Sequence, residues 1–173
     1  DQRAHNAIVS QLQPLGLPIV SEEGNREPPA RGAYWVVDPL DGTSEYLSMT
    51  GDFTVNIALI EERVPTLGVM HAPAQAETWS SVDSRGQTAG LRVIPPKVAL
   101  ISPSEDPDLV RPLALRLGAV DLVMKGAAGK FIDVAEGRAL LYVRTVGSSE
   151  WDTAAGQAIL ESRGGCVLSA ATG

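Results

Sequence analysis

A chain of 173 residues with 44% hydrophobic and 20% charged side chains has room for one domain with a sizeable core. Its formal charge of −7 leaves no basic footprint for a nucleic-acid polymer or an anionic membrane surface. Cys166 is the only cysteine, which excludes an intrachain disulfide and makes a reducing compartment, the cytoplasm, the expected address; no apolar run is long enough to span a bilayer, and Asp1-Gln2-Arg3 does not read as a signal peptide.

Ala4, Ala7, Ile8 and Leu12 fall on one helical face, so the spacing predicts an amphipathic helix over residues 2–13, ended by Pro14 and Gly16. Residues 17–20 read as a short strand that delivers Glu22 and Glu23, before a turn-rich stretch at 24–32. A buried-type strand at 34–37 delivers Asp38. Two paired strands at 53–60 and 66–70, joined by a turn at 61–65, are extended by 77–82. Small and polar residues make 84–90 the most loop-like stretch, with disorder expected there. Beyond it, strands at 98–101, 121–124 and 139–144 alternate with helices. The first helix, 107–117, is placed by Leu109, Val110, Leu113 and Leu117; a short one follows at 129–136. The last, 151–163, turns Ala154, Ala155, Ala158 and Ile159 inward and stops at Gly164-Gly165. An antiparallel sheet followed by an α/β half implies layered α and β in one domain, residues 1–173, with a metal-site half at 1–90 and an α/β half at 91–173.

Four acids stand where these elements end or begin: Glu22, Asp38, Asp41 and Asp152. Mg²⁺ takes oxygen ligands in an octahedron and is held by a few carboxylates plus substrate phosphate. Asp38 and Asp41 lie three apart across Pro39-Leu40. Pro39 restrains the backbone, so both carboxylates and the Leu40 carbonyl can converge on one spot. Glu22 and Asp152 are placed to serve a second ion, and two ions close together stabilise the attacking and leaving oxygens of an in-line displacement. Gly42-Thr43-Ser44 then opens a helix whose free amides favour an anion. Each feature also has a structural reading: Asp-Gly is a common turn and Asp41 a ready N-cap, Glu22-Glu23 a solvated strand end, Trp151-Asp152 a buried tryptophan beside a cap. Their joint occurrence at element boundaries points to a metal-dependent phosphatase. No Ser, Cys or His pair presents itself as a nucleophile, which favours direct attack by water. His5 and His71 lack ligand-like spacing, Cys166 reads as a small core residue, and residues 126–130 do not fit the G-x-x-x-x-G-K-[ST] phosphate loop. Lys130 and Arg144 are the available cations for a second phosphate, with a reading as surface charges beside it.

Glu22-Glu23, Asp38-Pro39-Leu40-Asp41-Gly42-Thr43 and Trp151-Asp152-Thr153-Ala154-Ala155-Gly156, in that order, resemble the E-E, D-P-[IL]-D-G-T and W-D-x-A-A-G motifs of the inositol monophosphatase superfamily of Mg²⁺-dependent, lithium-sensitive phosphatases. Within it, residues 1–167 look most like the bacterial 3'(2'),5'-bisphosphate nucleotidases of the CysQ type, notably at 21–23, 38–46, 51–61, 130–131, 134–137 and 150–158. The resemblance implies an αβαβα sandwich that binds two or three Mg²⁺ ions. It also implies hydrolysis of the 3'-phosphate of adenosine 3',5'-bisphosphate to AMP by metal-activated water, linked to sulfur assimilation. Carried over by position, Glu22, Asp38 and the Leu40 carbonyl would hold one ion, and Asp38, Asp41 and Asp152 a second. The Gly42 and Thr43 amides would contact phosphate. Glu22, Thr43 and Asp1, which falls where the family pairs an acid with the threonine hydroxyl, would orient and deprotonate the water. Leu40, Asp41, Gly42, Thr43, Asp152, Lys130 and Arg144 would contact the substrate, a small-molecule phosphate; the resemblance also admits a homodimer.

The chain departs from the family in lacking its first helical segment and in stopping before its usual final strands, so truncation or partial disorder at both ends is expected. Leu47-Ser48-Met49-Thr50 replaces a more basic stretch, and Ala127-Ala128-Gly129 a serine-containing one. Inositol-specific relatives carry a sugar-contacting glutamate seven residues before the W-D aspartate; here that position is Thr145, which speaks against inositol. An inositol or other sugar-phosphate phosphatase is the alternative reading. A catalytically impaired family member acting as a binding protein is the second, weakened by retention of all four acids.

Overall fold

The computed structural model describes residues 1–82 and 96–169. Helix α1 (Gln2–Leu12) and a 3-10 turn (Gln13–Leu15) lead into β1 (Ile19–Ser21), β2 (Tyr34–Asp41), α2 (Thr43–Leu47), β3 (Thr54–Glu61), β4 (Val64–Ala72) and β5 (Glu77–Ser80). Then come β6 (Val98–Ile101), α3 (Pro107–Arg116), β7 (Asp121–Met124), α4 (Gly129–Ala135), β8 (Leu141–Tyr142) and α5 (Glu150–Ser162). The loop reading of 84–90 lies outside the described residues.

Strands β1 to β5 form one sheet in chain order, β1 parallel to β2 and the others antiparallel. A second, parallel sheet has the order β7-β6-β8. Helix α1 lies on β1 and β2, α5 seats on β3 and β4 with α4 beside it, α4 reaches β8, and α3 packs on β7. The layers therefore read α, β, α, β, α. The main core joins Val36, Ala58, Ile60 and Met70 from the first sheet to Phe131, Ile132, Ala155 and Ile159 from α4 and α5. Burial of these side chains, at about 25 cal/mol per Å² of apolar surface, is what holds the helices on the sheet.

Period-2 patterning is clean in β3, where Thr54, Asn56, Ala58 and Ile60 face inward. Against β4, a side chain at Gly68 has no room: a Cβ there would meet the Ala155 carbonyl oxygen at 2.3 Å. The β3–β4 connection is tighter than the turn expected over 61–65. Glu61 pairs with Val64, leaving Glu62 and Arg63 as a two-residue loop with φ of 49° and 69°.

Three other expectations are corrected. Of the residues that place helix α3, Val110 is buried and Leu113 packs beside it as expected, whereas Leu109 and Leu117 are exposed and Ala114 is buried instead, because the sheet meets the helix on a narrower, rotated face. Strand β8 keeps only Leu141–Tyr142 of the segment expected at 139–144. Cys166 is exposed rather than in the core, since it lies past the end of α5.

Candidate active site

The strand delivering Asp38 does not end there; β2 runs on to Asp41. Side chains three apart on a regular strand point to opposite faces. Between Asp38, paired with Asn56, and Asp41, paired with Thr54, the register shifts by one: three steps on β2 match two on β3. The extra residue is a bulge within Pro39-Leu40, where Pro39 has no N–H to give the ladder and the Leu40 N–H turns to Asp38. That bulge re-aims Asp41 to the side of Asp38. Carboxylate oxygens of Asp38, Asp41 and Asp152 then all lie within 4.8 Å of one another.

Each acid is anchored through one oxygen only. Leu40 N–H donates to Asp38 Oδ1 at 3.0 Å. Asp41 Oδ2 accepts a short bond from Ala128 N–H, with Thr54 Oγ1 at 3.4 Å and Asn56 Nδ2 at 3.5 Å beside it. Ser149 N–H donates to Asp152 Oδ2 at 2.8 Å, half of the capping box that opens α5. Among the described residues, the other oxygen of each acid has no hydrogen-bond partner. Asp38 is buried, 1% exposed. Burial first, then Asp41 and Glu22, push its pKa up to about 9, against the Leu40 N–H. Burial likewise raises Asp41 to about 6, resisted by the Ala128 N–H. Three crowded carboxylates, each with a free oxygen and two of them pressed toward the neutral form, match the donor set of a hard divalent cation.

The rest of the site gathers around a cleft of roughly 120 Å³ lined by Asp41, Gly42, Ser102, Lys130, Arg144 and Asp152, among others. A larger cleft of roughly 180 Å³ lies across the Gly126-Ala127 turn and has none of the three acids, so the chemistry belongs to the smaller one. Gly42 caps α2 at φ 89°, and a Cβ there would meet the Asp52 carbonyl at 2.9 Å. Tyr34 ties β2 to the start of α5 through its hydroxyl, which donates to Glu150 Oε1 at 2.8 Å; burial first, then Glu150, push its pKa up to about 12.

Three of the four acids read from the sequence come together; Glu22 stands at the end of β1, outside that group but close enough to act on Asp38. Thr43 Oγ1 donates to the Leu40 carbonyl at 3.4 Å. Asp1 is the exposed N-cap of α1, and its side chain makes no hydrogen bond among the described residues, to Thr43 or otherwise. Lys130 is no surface charge: it is 2% exposed, and Nζ donates to the carbonyls of Lys125 at 3.0 Å and Ala127 at 2.5 Å. Burial drives its pKa down to about 8. Arg144 is half-buried at the cleft.

Thr54, Asn56 and the Ala128 amide escaped the sequence reading. Two polar residues at inward positions of an otherwise apolar β3 were the available signal for the first two. The amide, 87 residues from Asp41, left none.

The sequence model of the inositol monophosphatase family matches residues 1–173. A 3'(2'),5'-bisphosphate nucleotidase CysQ from Salmonella typhimurium is 39% identical over 183 aligned positions, covering 96% of this chain and 73% of that protein. Its namesake from Escherichia coli strain K12 is 37% identical over 184, with the same two coverages. The crystal structure of CysQ from Bacteroides thetaiotaomicron, a bacterial member of the inositol monophosphatase family, matches with a TM-score of 0.80 at 32% identity, over 95% of this chain and 72% of that one. Motif order, the re-aimed aspartates and these matches agree, and the chain belongs to the inositol monophosphatase family.

Proposed function

We propose that this chain hydrolyses the 3'-phosphate of adenosine 3',5'-bisphosphate to AMP and phosphate in a Mg²⁺-dependent reaction. The three open carboxylate oxygens of Asp38, Asp41 and Asp152 carry the phosphatase chemistry. The similarity to proteins named bisphosphate nucleotidases supports the substrate. Those acids, with Glu22 and the Leu40 carbonyl, would hold two or three Mg²⁺ ions. When bound, Mg²⁺ offsets phosphoryl charge and lowers the pKa of water. Glu22 then accepts the water's proton at its carboxylate, Thr43 Oγ1 orients the water with Asp1 as the further acid, and the Gly42 and Thr43 amides receive the phosphoryl oxygens. Arg144, and Lys130 beneath it, supply positive charge for the second phosphate.

The same reading takes residues 1–173 as one phosphatase domain, since the Asp41–Ala128 bond crosses between its halves. It also keeps a cytoplasmic setting and a homodimer as proposals; among the described residues no helix is long and apolar enough to cross a membrane. The inositol alternative finds no support at position 145: Thr145 has no carboxylate, and the nearby Glu105 has its oxygens taken by Thr145 and Val146. Phosphate release with Mg²⁺ from adenosine 3',5'-bisphosphate, inositol 1-phosphate and fructose 1,6-bisphosphate is the test. The first is expected to give the highest kcat/KM; a higher value for inositol 1-phosphate overturns the substrate assignment.

A further inference from the structure

Outside the acid triad, one buried carboxylate turns both of its oxygens to a single turn beside the cleft. Glu105, between β6 and α3, is 4% exposed. Its Oε1 accepts from the backbone N–H of Thr145 at 3.0 Å and of Val146 at 3.3 Å, and its Oε2 accepts from Thr145 Oγ1. Burial pushes its pKa up, but the Thr145 and Val146 donors and the Arg144 guanidinium outweigh burial and hold it below the ordinary value. Glu105 N–H donates in turn to the Ser102 carbonyl at 3.0 Å, and Ser102 lines the cleft.

The gripped turn carries Arg144. Its Nε donates to the Val146 carbonyl at 3.3 Å, Nη2 to the Gly147 carbonyl at 3.3 Å and Nη1 to the Tyr142 hydroxyl at 3.4 Å. Of those three acceptors, the Val146 carbonyl lies on the pair that Glu105 holds and the Gly147 carbonyl directly after it. A guanidinium has five N–H donors, so one remains on each terminal nitrogen, the pair that suits bidentate binding of a phosphate.

We propose that Glu105 is a positioning residue: its carboxylate holds the Thr145–Val146 turn, and that turn aims the two remaining Arg144 N–H groups at the second phosphate of a bisphosphate substrate. The inference rests on the bisphosphate reading above. Glu105 itself does not touch substrate; it acts through Arg144. Length matters more than charge in this role. In Glu105→Gln the carbonyl still accepts both amides and the NH₂ donates to a reversed Thr145 hydroxyl, whereas Glu105→Asp falls one methylene short.

The experiment compares kcat/KM for adenosine 3',5'-bisphosphate with that for adenosine 3'-monophosphate, using the full chain with Mg²⁺ and checking folding by thermal melting. Wild type, Glu105→Asp, Glu105→Gln, Arg144→Ala and the Glu105→Asp/Arg144→Ala double variant are measured. The preference for the bisphosphate is expected to fall about tenfold in Glu105→Asp and in Arg144→Ala, with no further fall in the double variant. Glu105→Gln is expected to keep it. Equal losses on both substrates in Glu105→Asp, a loss in Glu105→Gln as large as in Glu105→Asp, or additive losses in the double variant each overturn the proposal. A wild type that prefers inositol 1-phosphate in the three-substrate comparison overturns the bisphosphate reading and this role with it. A wild type that prefers the bisphosphate, with that preference intact in Glu105→Asp, overturns the role of Glu105 alone.

Discussion

Asp41 divides its labour between two oxygens, one gripped by the Ala128 amide and one open to the site. Asp41→Asn leaves an acceptor for that amide but removes the charge a cation needs. Turnover at saturating Mg²⁺ is expected to fall by more than the roughly 10–100-fold seen when a residue that only orients a ligand is lost. Asp38→Asn and Asp152→Asn are expected to behave alike, and a steady-state phosphate-release assay reads all three. Asp38 also sets a pH dependence in the metal-free protein. Its folded pKa of about 9 stands far above the ordinary 3.8, with Asp41 at about 6 in the same direction. The folded state therefore holds these protons more tightly than the unfolded chain does. The associated stability is full below about pH 4 and is lost as pH rises through the folded values. Melting in chelator is expected to show Tm falling from about pH 5 to 9, with a flatter profile in Asp38→Asn.

The decisive element-scale feature is a seam of small residues. Gly68 on β4 lies under the Ala155 carbonyl, and Ala154, Ala155 and Ala158 let α5 settle onto the sheet and bring Asp152 to β2. Gly68→Ala puts a methyl group 2.3 Å from a backbone oxygen, and backbone cannot swing away as a side chain can. The expected loss is about 1–3 kcal/mol in urea unfolding, together with reduced activity as α5 lifts. The β3–β4 turn offers the opposite case. Glu62 and Arg63 both hold positive φ, a conformation that asparagine and glycine adopt more readily. Glu62→Asn with Arg63→Gly is expected to stabilise the hairpin by about 1 kcal/mol, read as a raised Tm.

At the scale of the molecule, three segments meet at the site: the bulge of β2 and the first turn of α5, which crowd their carboxylates together, and the Ala128 turn, held to β2 by its amide bond to Asp41. A divalent ion that binds only the folded chain stabilises it by mass action, about 2.7 kcal/mol at 100 times its Kd. Mg²⁺ is accordingly expected to raise Tm in the wild type, and to do so much less in Asp41→Asn. Differential scanning fluorimetry across a Mg²⁺ titration checks this, and an unchanged wild-type Tm counts against the donor set.

The layered α and β order, the strand positions 98–101 and 121–124, the inward alanines of α5 and the acids of the site were legible in the sequence, because periodicity and motif spacing are local properties. Propensity placed the end of β2 too early, since a bulge is settled by pairing with a partner strand. Hydrophobic spacing in α3 was right for Val110 and Leu113 and wrong for Leu109 and Leu117, since how wide a stripe is buried depends on where the sheet lies. For Lys130 the sequence left a phosphate-binding cation and a surface charge both open, because neighbouring residues do not reveal a cage of carbonyls and a tyrosine ring 5.0 Å away. The sequence by itself determined the acids, their order and their spacing along the chain. Only the tertiary structure decided that three of them face one another and which oxygen of Asp41 is free: the amides on Asp38 and Asp152 are near neighbours in the chain, but the Ala128 amide on Asp41 comes from 87 residues away and meets it only once the sheets and helices have packed.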